Sequence, residues 1–165
     1  MRTLLMQFLD LSTRSDGTRR KQILSIGAGF DTLFFNLHEE GMKPDLFVEI
    51  DFQEVTSKKV AIISSHEQLM STLGPHPIIS KGTTAVFLPN KGEIMSEHYK
   101  LLPGDLRNLS GLDDVFKQAQ LDPRTERLEI FDEFEEWHIM QEHYCVAYGI
   151  NDPTGMYEAF GFVAK

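Results

Sequence analysis

The sequence has little of three features that mark particular protein classes. Cys145 is the single cysteine among 165 residues, which excludes an internal disulfide and a cysteine-rich zinc module. No uninterrupted apolar run approaches the roughly 20 residues that a membrane-spanning helix needs. Basic residues are also few, since 16 Lys and Arg stand against 25 Asp and Glu and the formal net charge is −9. This balance disfavours a duplex nucleic-acid binder and an electrostatic anchor on an anionic membrane.

The amino-terminal residues superficially resemble a signal peptide. Gln7 and Asp10 interrupt the apolar stretch, however, and no small-residue cleavage site follows it. The apolar residues of this stretch recur at helical spacing: Leu4, Leu5, Phe8 and Leu9. We therefore expect a short amphipathic helix that covers a sheet, in a cytoplasmic protein.

Strands and helices are predicted to alternate along the chain. Apolar segments that read as strands span residues 22–26, 45–51, 99–102 and 144–150. Helices are predicted over residues 30–40, 53–64 and 110–120, the last with Ser110 as its N-cap. In the helix over 53–64, we expect Val55, Ala61 and Ile62 to face inward and Lys58 and Lys59 to face outward. This alternation favours a parallel α/β sheet with right-handed crossovers.

Residues 126–142 combine many acidic side chains with interleaved apolar ones. We interpret this segment as an acidic amphipathic helix. Such a helix most often presents a solvated face, although its aromatic residues must pack on something.

The most informative motif is Gly27-Ala28-Gly29, which lies between the first predicted strand and the next helix. Glycines at this place let a ligand approach the backbone at the carboxyl edge of an open α/β sheet. The spacing is not that of the dinucleotide fingerprint, because Thr32 stands where a third glycine is required. A tight structural turn explains a lone Gly-x-Gly about equally well.

Carboxylates follow the next two predicted strands. Asp51 stands about 20 residues beyond the glycines, where an acid can accept hydrogen bonds from ribose hydroxyls. Glu49 shares its strand face, but Asp51 is nearer the carboxyl edge and is the better candidate. Asp105 and Leu106 follow the third strand, where a carboxylate could meet an exocyclic amine while the leucine packs on a ring. Three such elements indicate a nucleoside-bearing ligand without a pyrophosphate, and S-adenosylmethionine is the commonest of that kind.

Other patterns predict no catalytic or metal site. The six histidines lack metal-ligand spacing, and neither a nucleophile elbow nor a P-loop is present. Cys145 lies in an apolar segment, where a buried structural thiol is expected. We therefore name no metal ligand and no catalytic acid or base.

Four segments, taken in order, resemble the leucine carboxyl methyltransferase family, and most closely its plant members. They span residues 22–32, 47–59, 100–109 and 127–145. The resemblance implies an incomplete Rossmann-like class I S-adenosylmethionine-dependent methyltransferase sheet with flanking helices. It also implies methyl transfer from S-adenosylmethionine to the C-terminal leucine carboxylate of the catalytic subunit of type 2A protein phosphatases.

The resemblance assigns roles to individual residues. Gly27, Ala28 and Gly29 would line the methionine part of S-adenosylmethionine, and Asp51 would hold its ribose. Asp105 and Leu106 would hold and cover its adenine.

The sequence also departs from the family pattern. Family members begin with a helical region that carries a Lys and an Arg for the cofactor and the peptide carboxylate, and this chain starts after both. Between Pro123 and Arg124 the family has a long stretch with its fourth strand and its substrate-pocket insertion. We therefore expect residues 1–165 to form one partial domain, joined near 123–124, in which the missing strand leaves a sheet edge exposed and methyl transfer is impaired.

Two other functions stay open at this point. An inactive fragment could act as a protein-interaction module through residues 126–142. A related branch of the same superfamily modifies a transfer-RNA base, but the charge of −9 and the lack of a propeller-like repeat region weigh against it.

Overall fold

The computed structural model describes residues 2–10, 21–75, 77–80, 91–105, 107–122, 126–131 and 163–164. Within these ranges the helices are α1 (Arg2–Asp10), α2 (Leu33–Glu39), α3 (Gln53–Ser65), α4 (Glu67–Thr72) and α5 (Leu109–Ala119). The strands are β1 (Lys21–Ile26), β2 (Leu46–Asp51), β3 (Ile78–Ser80), β4 (Glu93–Met95), β5 (Tyr99–Pro103), β6 (Glu126–Phe131) and β7 (Val163–Ala164). None of the helices in this part of the chain has the length and apolar character that a bilayer crossing needs.

The strands form one sheet in the order β3-β4-β5-β2-β1-β6-β7. β5, β2, β1, β6 and β7 run parallel to one another, whereas β3 and β4 add an antiparallel hairpin beyond β5. The predicted parallel α/β sheet is therefore confirmed. The strand order reverses at β1, and open α/β sheets bind ligands outside the carboxyl ends of the strands at such a point.

The central strands β1, β2 and β5 are buried on both faces, as expected of parallel strands between helices. One face packs against α1, α2 and α3 and is built on these side chains: Leu5, Ile23, Phe34, Phe47, Val60, Ile63, Tyr99 and Leu101. The opposite face packs against α5 through a second set: Leu24, Ile26, Val48, Ile50, Leu102, Leu112 and Ala119. Alternate residues of one strand thus belong to different cores, in keeping with the period of two along a strand.

Two predicted helix starts are displaced. α2 begins at Leu33 and not at Phe30, because the chain first turns through Gly27 and Gly29 at φ of 65° and 51°. α5 is capped by Asn108 and not by Ser110, since the Asn108 side chain accepts a 3.2 Å hydrogen bond from the Gly111 N–H. Asparagine and serine are about equally favourable N-cap residues, so the residue types alone did not show which of the two caps the helix.

The predicted orientation of α3 is wrong in part. Ala61 is exposed and Ile62 is 45% exposed, whereas Lys59, expected to face solvent, is only 4% exposed. Val60 and Ile63 supply the apolar contacts of this helix instead. Lys59 faces inward because a buried carboxylate, Glu49, lies opposite its ammonium.

The predicted acidic helix over residues 126–142 is also wrong in its first part. Residues 126–131 form β6, which runs parallel to β1 with Ser25 opposite Ile130. Ile130 is fully buried, and the apolar residues of this stretch recur with the period of two that a strand requires. β6 therefore lies beside β1, and β1 is not a sheet edge. Residues 132–142 and the predicted strand over 144–150 lie outside the described residues.

Candidate cofactor-binding site

The chain leaves β1 through a tight glycine turn. Gly27 and Gly29 both have φ in the left-handed region, which other L-residues rarely adopt. The Gly27 N–H donates to the Ile50 carbonyl at 2.9 Å, and the Asp31 N–H donates back to Ala28 at 2.9 Å. A Cβ placed on Gly29 would meet nothing within 4 Å in the part of the chain that the structure describes. The turn therefore presents accessible backbone at the edge of the sheet.

Asp51, the last residue of β2, is in direct contact with this turn. Its Oδ2 accepts a 2.7 Å hydrogen bond from the Gly29 N–H, and its Oδ1 accepts one of 2.6 Å from the Phe52 N–H. An ionised carboxylate has about four lone-pair sites, so two main-chain bonds leave acceptor capacity for further donors. The structure thus brings together two residues that the sequence singled out separately.

Glu49 has a different environment from Asp51. Its side chain is 1% exposed, and its Oε2 lies 2.5 Å from the Lys59 Nζ and accepts a 2.7 Å hydrogen bond from the Tyr99 hydroxyl. Burial raises the pKa of the Glu49 carboxyl, an effect that Lys59 opposes. Glu49 points into the core, which supports the choice of Asp51 as the edge acid.

Asp105 lies at the same edge, after β5. The neighbouring Gly104 N–H donates to the Asp51 carbonyl at 2.9 Å, which ties the two strand ends together. The Arg107 guanidinium donates a hydrogen bond to each Asp105 carboxylate oxygen, with Nε 2.8 Å from Oδ1 and a terminal nitrogen 2.7 Å from Oδ2. These hydrogen bonds lower the pKa of Asp105. Leu106, the other residue predicted here, lies outside the described residues.

Aromatic side chains also lie at this edge, although no role was predicted for them from the sequence. Phe30 follows the glycine turn and Phe52 follows Asp51, with exposures of 54% and 48%. The Arg107 guanidinium lies 5.3 Å from the Phe52 ring centroid. Each aromatic residue directly follows a predicted site residue, and this adjacency could have identified both as candidate site residues from the sequence. Within the described ranges, no group of three or more His, Cys, Asp or Glu could hold a metal ion.

The glycine turn and the carboxylates at neighbouring strand ends place this chain in the class of open α/β domains, with these residues at the edge where such sheets bind ligands. The sequence profile described as Leucine carboxyl methyltransferase matches residues 4–131. The "Leucine carboxyl methyltransferase 1 homolog" of Arabidopsis thaliana is 33% identical over 270 residues, covering 99% of this chain and 78% of the plant protein. The chain therefore belongs to the leucine carboxyl methyltransferase family, a family of methyltransferase enzymes.

Two further relatives match at the same identity. "Leucine carboxyl methyltransferase 1" of Cryptococcus neoformans is 33% identical over 178 residues, covering 88% of this chain and 47% of the fungal protein. The "tRNA wybutosine-synthesizing protein 4" of Rattus norvegicus is 33% identical over 123 residues, covering 74% of this chain and 17% of the rat protein. The chain thus spans less than half of either relative.

The length of the plant alignment bears on the expected internal join. It extends over 270 residues, whereas the chain has 165, so it contains positions at which only the plant protein has a residue. Its length does not say where these positions lie, so the internal join near 123–124 stays a prediction.

Proposed function

We propose that this chain binds S-adenosylmethionine at the edge formed by Gly27, Ala28, Gly29, Asp51 and Asp105, in the cytoplasm. The observation that carries the proposal is the 2.7 Å hydrogen bond from the Gly29 N–H to the Asp51 carboxylate. It joins the turn that would meet the methionine part to the acid that would meet the ribose. Family membership supports the same ligand class.

The residues at the edge fit the chemistry of this cofactor. The open space over Gly29 allows close approach to the backbone. The spare lone pairs of Asp51 suit two ribose hydroxyls. Asp105 offers an acceptor to the adenine amino group, and Leu106 would cover the ring, as the family pattern implies.

We further propose that the acceptor is a C-terminal leucine carboxylate, that of the catalytic subunit of type 2A protein phosphatases. When bound, S-adenosylmethionine supplies an electrophilic methyl group on a sulfonium. An α-carboxyl group has a pKa near ~3.5 and is ionised at neutral pH, so the chain needs no general base. Its residues would contribute by orienting the reactants and excluding water. No residue is assigned as a catalytic acid or base.

Methyl transfer by this chain is proposed to be slow. The family's substrate-pocket insertion is expected at the join near Pro123 and Arg124, and β6 begins at Glu126. The proposed cofactor residues all precede this point. Cofactor binding and peptide positioning are therefore separable, and we expect the first to survive better than the second.

Calorimetric titration with S-adenosylmethionine tests the cofactor assignment. We expect saturable binding, and about tenfold weaker binding by Asp51→Asn, because a hydrogen bond to a charged acceptor is lost. Asp114→Asn is the matched control, since Asp114 lies on the outer face of α5 with its side chain 82% exposed. No binding at millimolar cofactor would overturn the assignment.

Intact-mass spectrometry of the phosphatase catalytic subunit tests the reaction. Incubation with this chain and S-adenosylmethionine is expected to give at most trace methylation. Complete methylation would overturn the proposed impairment and confirm the substrate.

One other function has a specific observation in its favour. The match to a protein named for tRNA wybutosine synthesis raises transfer RNA as a substrate. The net charge of −9 opposes it, because RNA binding draws on phosphate neutralisation. The interaction-module alternative depended on a helix over 126–142, and β6 removes the first part of that helix.

A further inference from the structure

A buried ionic network lies directly beneath the glycine turn. Lys59 of α3, Glu49 of β2 and Tyr99 of β5 are each 4% exposed or less. The Lys59 ammonium lies 2.5 Å from the Glu49 carboxylate, which also accepts a hydrogen bond from the Tyr99 hydroxyl. The same ammonium donates a 2.8 Å hydrogen bond to the main-chain carbonyl of Asp31.

Asp31 is the residue at which the glycine turn passes into α2. Its N–H closes the turn by donating to Ala28, and its side-chain Oδ1 accepts a 3.0 Å hydrogen bond from the Leu33 N–H. Lys59 lies 28 residues further along the chain. The Lys59 ammonium therefore holds Asp31, the last residue of the turn, from a separate helix, α3.

Stability alone does not explain this network. A buried ion pair gains little net free energy, because desolvation of both charges offsets their attraction, and apolar replacements are often neutral. The second Glu49 oxygen, Oε1, is buried without a hydrogen-bond partner among the described residues. Among these residues, only one of the two Glu49 oxygens is therefore satisfied. The clearest effect of the carboxylate is to hold the Lys59 ammonium next to the Asp31 carbonyl.

We propose that Lys59 is a positioning residue for the candidate cofactor site. Held by Glu49, its ammonium keeps the Asp31 carbonyl, and with it the backbone of residues 27–31, in one conformation. A turn fixed before binding spares the cost of ordering it when the cofactor arrives. This proposal rests on the proposed binding of S-adenosylmethionine.

The test separates positioning from simple support of the fold. Lys59→Met alone leaves the Glu49 carboxylate buried without its cation and is expected to be strongly destabilised. The informative variant is the double substitution Lys59→Met/Glu49→Gln, which removes both charges and keeps an acceptor for Tyr99. Lys58→Met is the matched control, because it removes a lysine from the exposed side of the same helix.

Melting temperature and cofactor affinity are measured for all variants, the affinity well below the lowest melting midpoint. We expect the double variant to recover most of the stability that Lys59→Met loses, yet to bind S-adenosylmethionine about tenfold more weakly than the wild type. Lys58→Met should match the wild type in both. A double variant that binds as tightly as the wild type would overturn the proposal.

Amide hydrogen exchange gives a readout that needs no cofactor. In the double variant, residues 28–33 should exchange faster while β1 and β2 stay protected. Unchanged exchange in this turn would overturn the positioning role even if the cofactor assignment stands. A wild type that does not bind S-adenosylmethionine would instead overturn the proposed function, and the exchange experiment would still decide the role of Lys59.

Discussion

The main-chain N–H of Gly104 donates a 2.9 Å hydrogen bond to the carbonyl of Asp51, so the loop after β5 rests on the last residue of β2. This approach leaves no room for a side chain. A Cβ on Gly104 would lie 2.7 Å from the Cγ2 of Ile50 and 3.5 Å from the Cδ2 of Leu112. The close approach of the ends of β2 and β5, which carry the candidate carboxylates, therefore requires a glycine at position 104.

Gly104→Ala is expected to lower the free energy of unfolding by about 1–3 kcal/mol, because an inserted methyl must displace Ile50. It should also weaken S-adenosylmethionine binding, since Asp51 and Asp105 separate. Urea unfolding and calorimetric titration measure the two effects. Unchanged stability would show that the loop shifts freely.

Gly92→Ala should be more damaging than Gly41→Ala. Both glycines have positive φ, of 59° and 76°, so both changes carry backbone strain. A Cβ on Gly92 would also lie 2.8 Å from the Ser57 main-chain nitrogen, whereas one on Gly41 meets nothing within 4 Å. We expect about 1 kcal/mol of destabilisation at Gly41 and clearly more at Gly92.

The difference between the two variants separates the destabilisation caused by steric crowding at Gly92 from that caused by backbone strain, which both variants share. Equal losses in urea unfolding would mean that α3 moves away from Gly92 at little cost.

Lys100 stabilises the carboxyl end of α5 from within the sheet. Its ammonium donates to the Ala119 carbonyl at 2.7 Å and to the Gln120 side chain at 2.8 Å. Lys100→Met should lower the free energy of unfolding by roughly 1–3 kcal/mol, because the last turn loses a charged donor. Lys117→Met is the control on the same helix, since its side chain is 77% exposed and its ion pair should contribute little. Similar losses in both variants would contradict the capping role.

The Asp105–Arg107 pair predicts a pH dependence at the acid end. Arg107 lowers the pKa of Asp105 below its ordinary value of 3.8. An acid with a lowered pKa in the folded state stabilises the protein above its unfolded pKa, and this contribution is lost as the pH falls through the lowered value. Asp105→Asn lacks this contribution at every pH. The difference in melting temperature between wild type and variant should therefore shrink as the pH is lowered from about 5 towards 3.

Because the Asp105 side chain is 40% exposed, the difference between wild type and Asp105→Asn should be small and should decrease in high salt. A difference that grows on acidification would contradict the assigned direction.

The sheet edge that carries the candidate cofactor residues was the most predictable part of the molecule. The sequence places glycines between a strand and a helix and an acid at the end of the next strand. These residues can be assigned to one edge of the sheet from the strand order alone, without knowledge of side-chain packing. The contact between Gly29 and Asp51 follows from that placement. Arg107 was missed because its pairing with Asp105 depends on the loop conformation after β5, which spacing along the chain does not encode.

The two clear errors have different causes. Lys59 was placed outside by its charge, because its burial depends on Glu49, a partner on another element. Residues 126–131 were read with a helical period, although a six-residue stretch with interleaved apolar and charged positions also fits a strand. A tertiary contact overrode the local pattern at Lys59, whereas the pattern of 126–131 was ambiguous and the wrong period was chosen.

β6 also has a consequence for how such a domain can diverge. All of the proposed cofactor residues lie between Gly27 and Leu106, and β6 meets that half of the sheet through the backbone ladder with β1. Ladder hydrogen bonds between main chains are compatible with many side chains, whereas the register also depends on which side chain faces the core, as Ile130 does. The sequence of a strand at this position can therefore vary as long as it keeps an apolar residue at the buried position opposite Ser25.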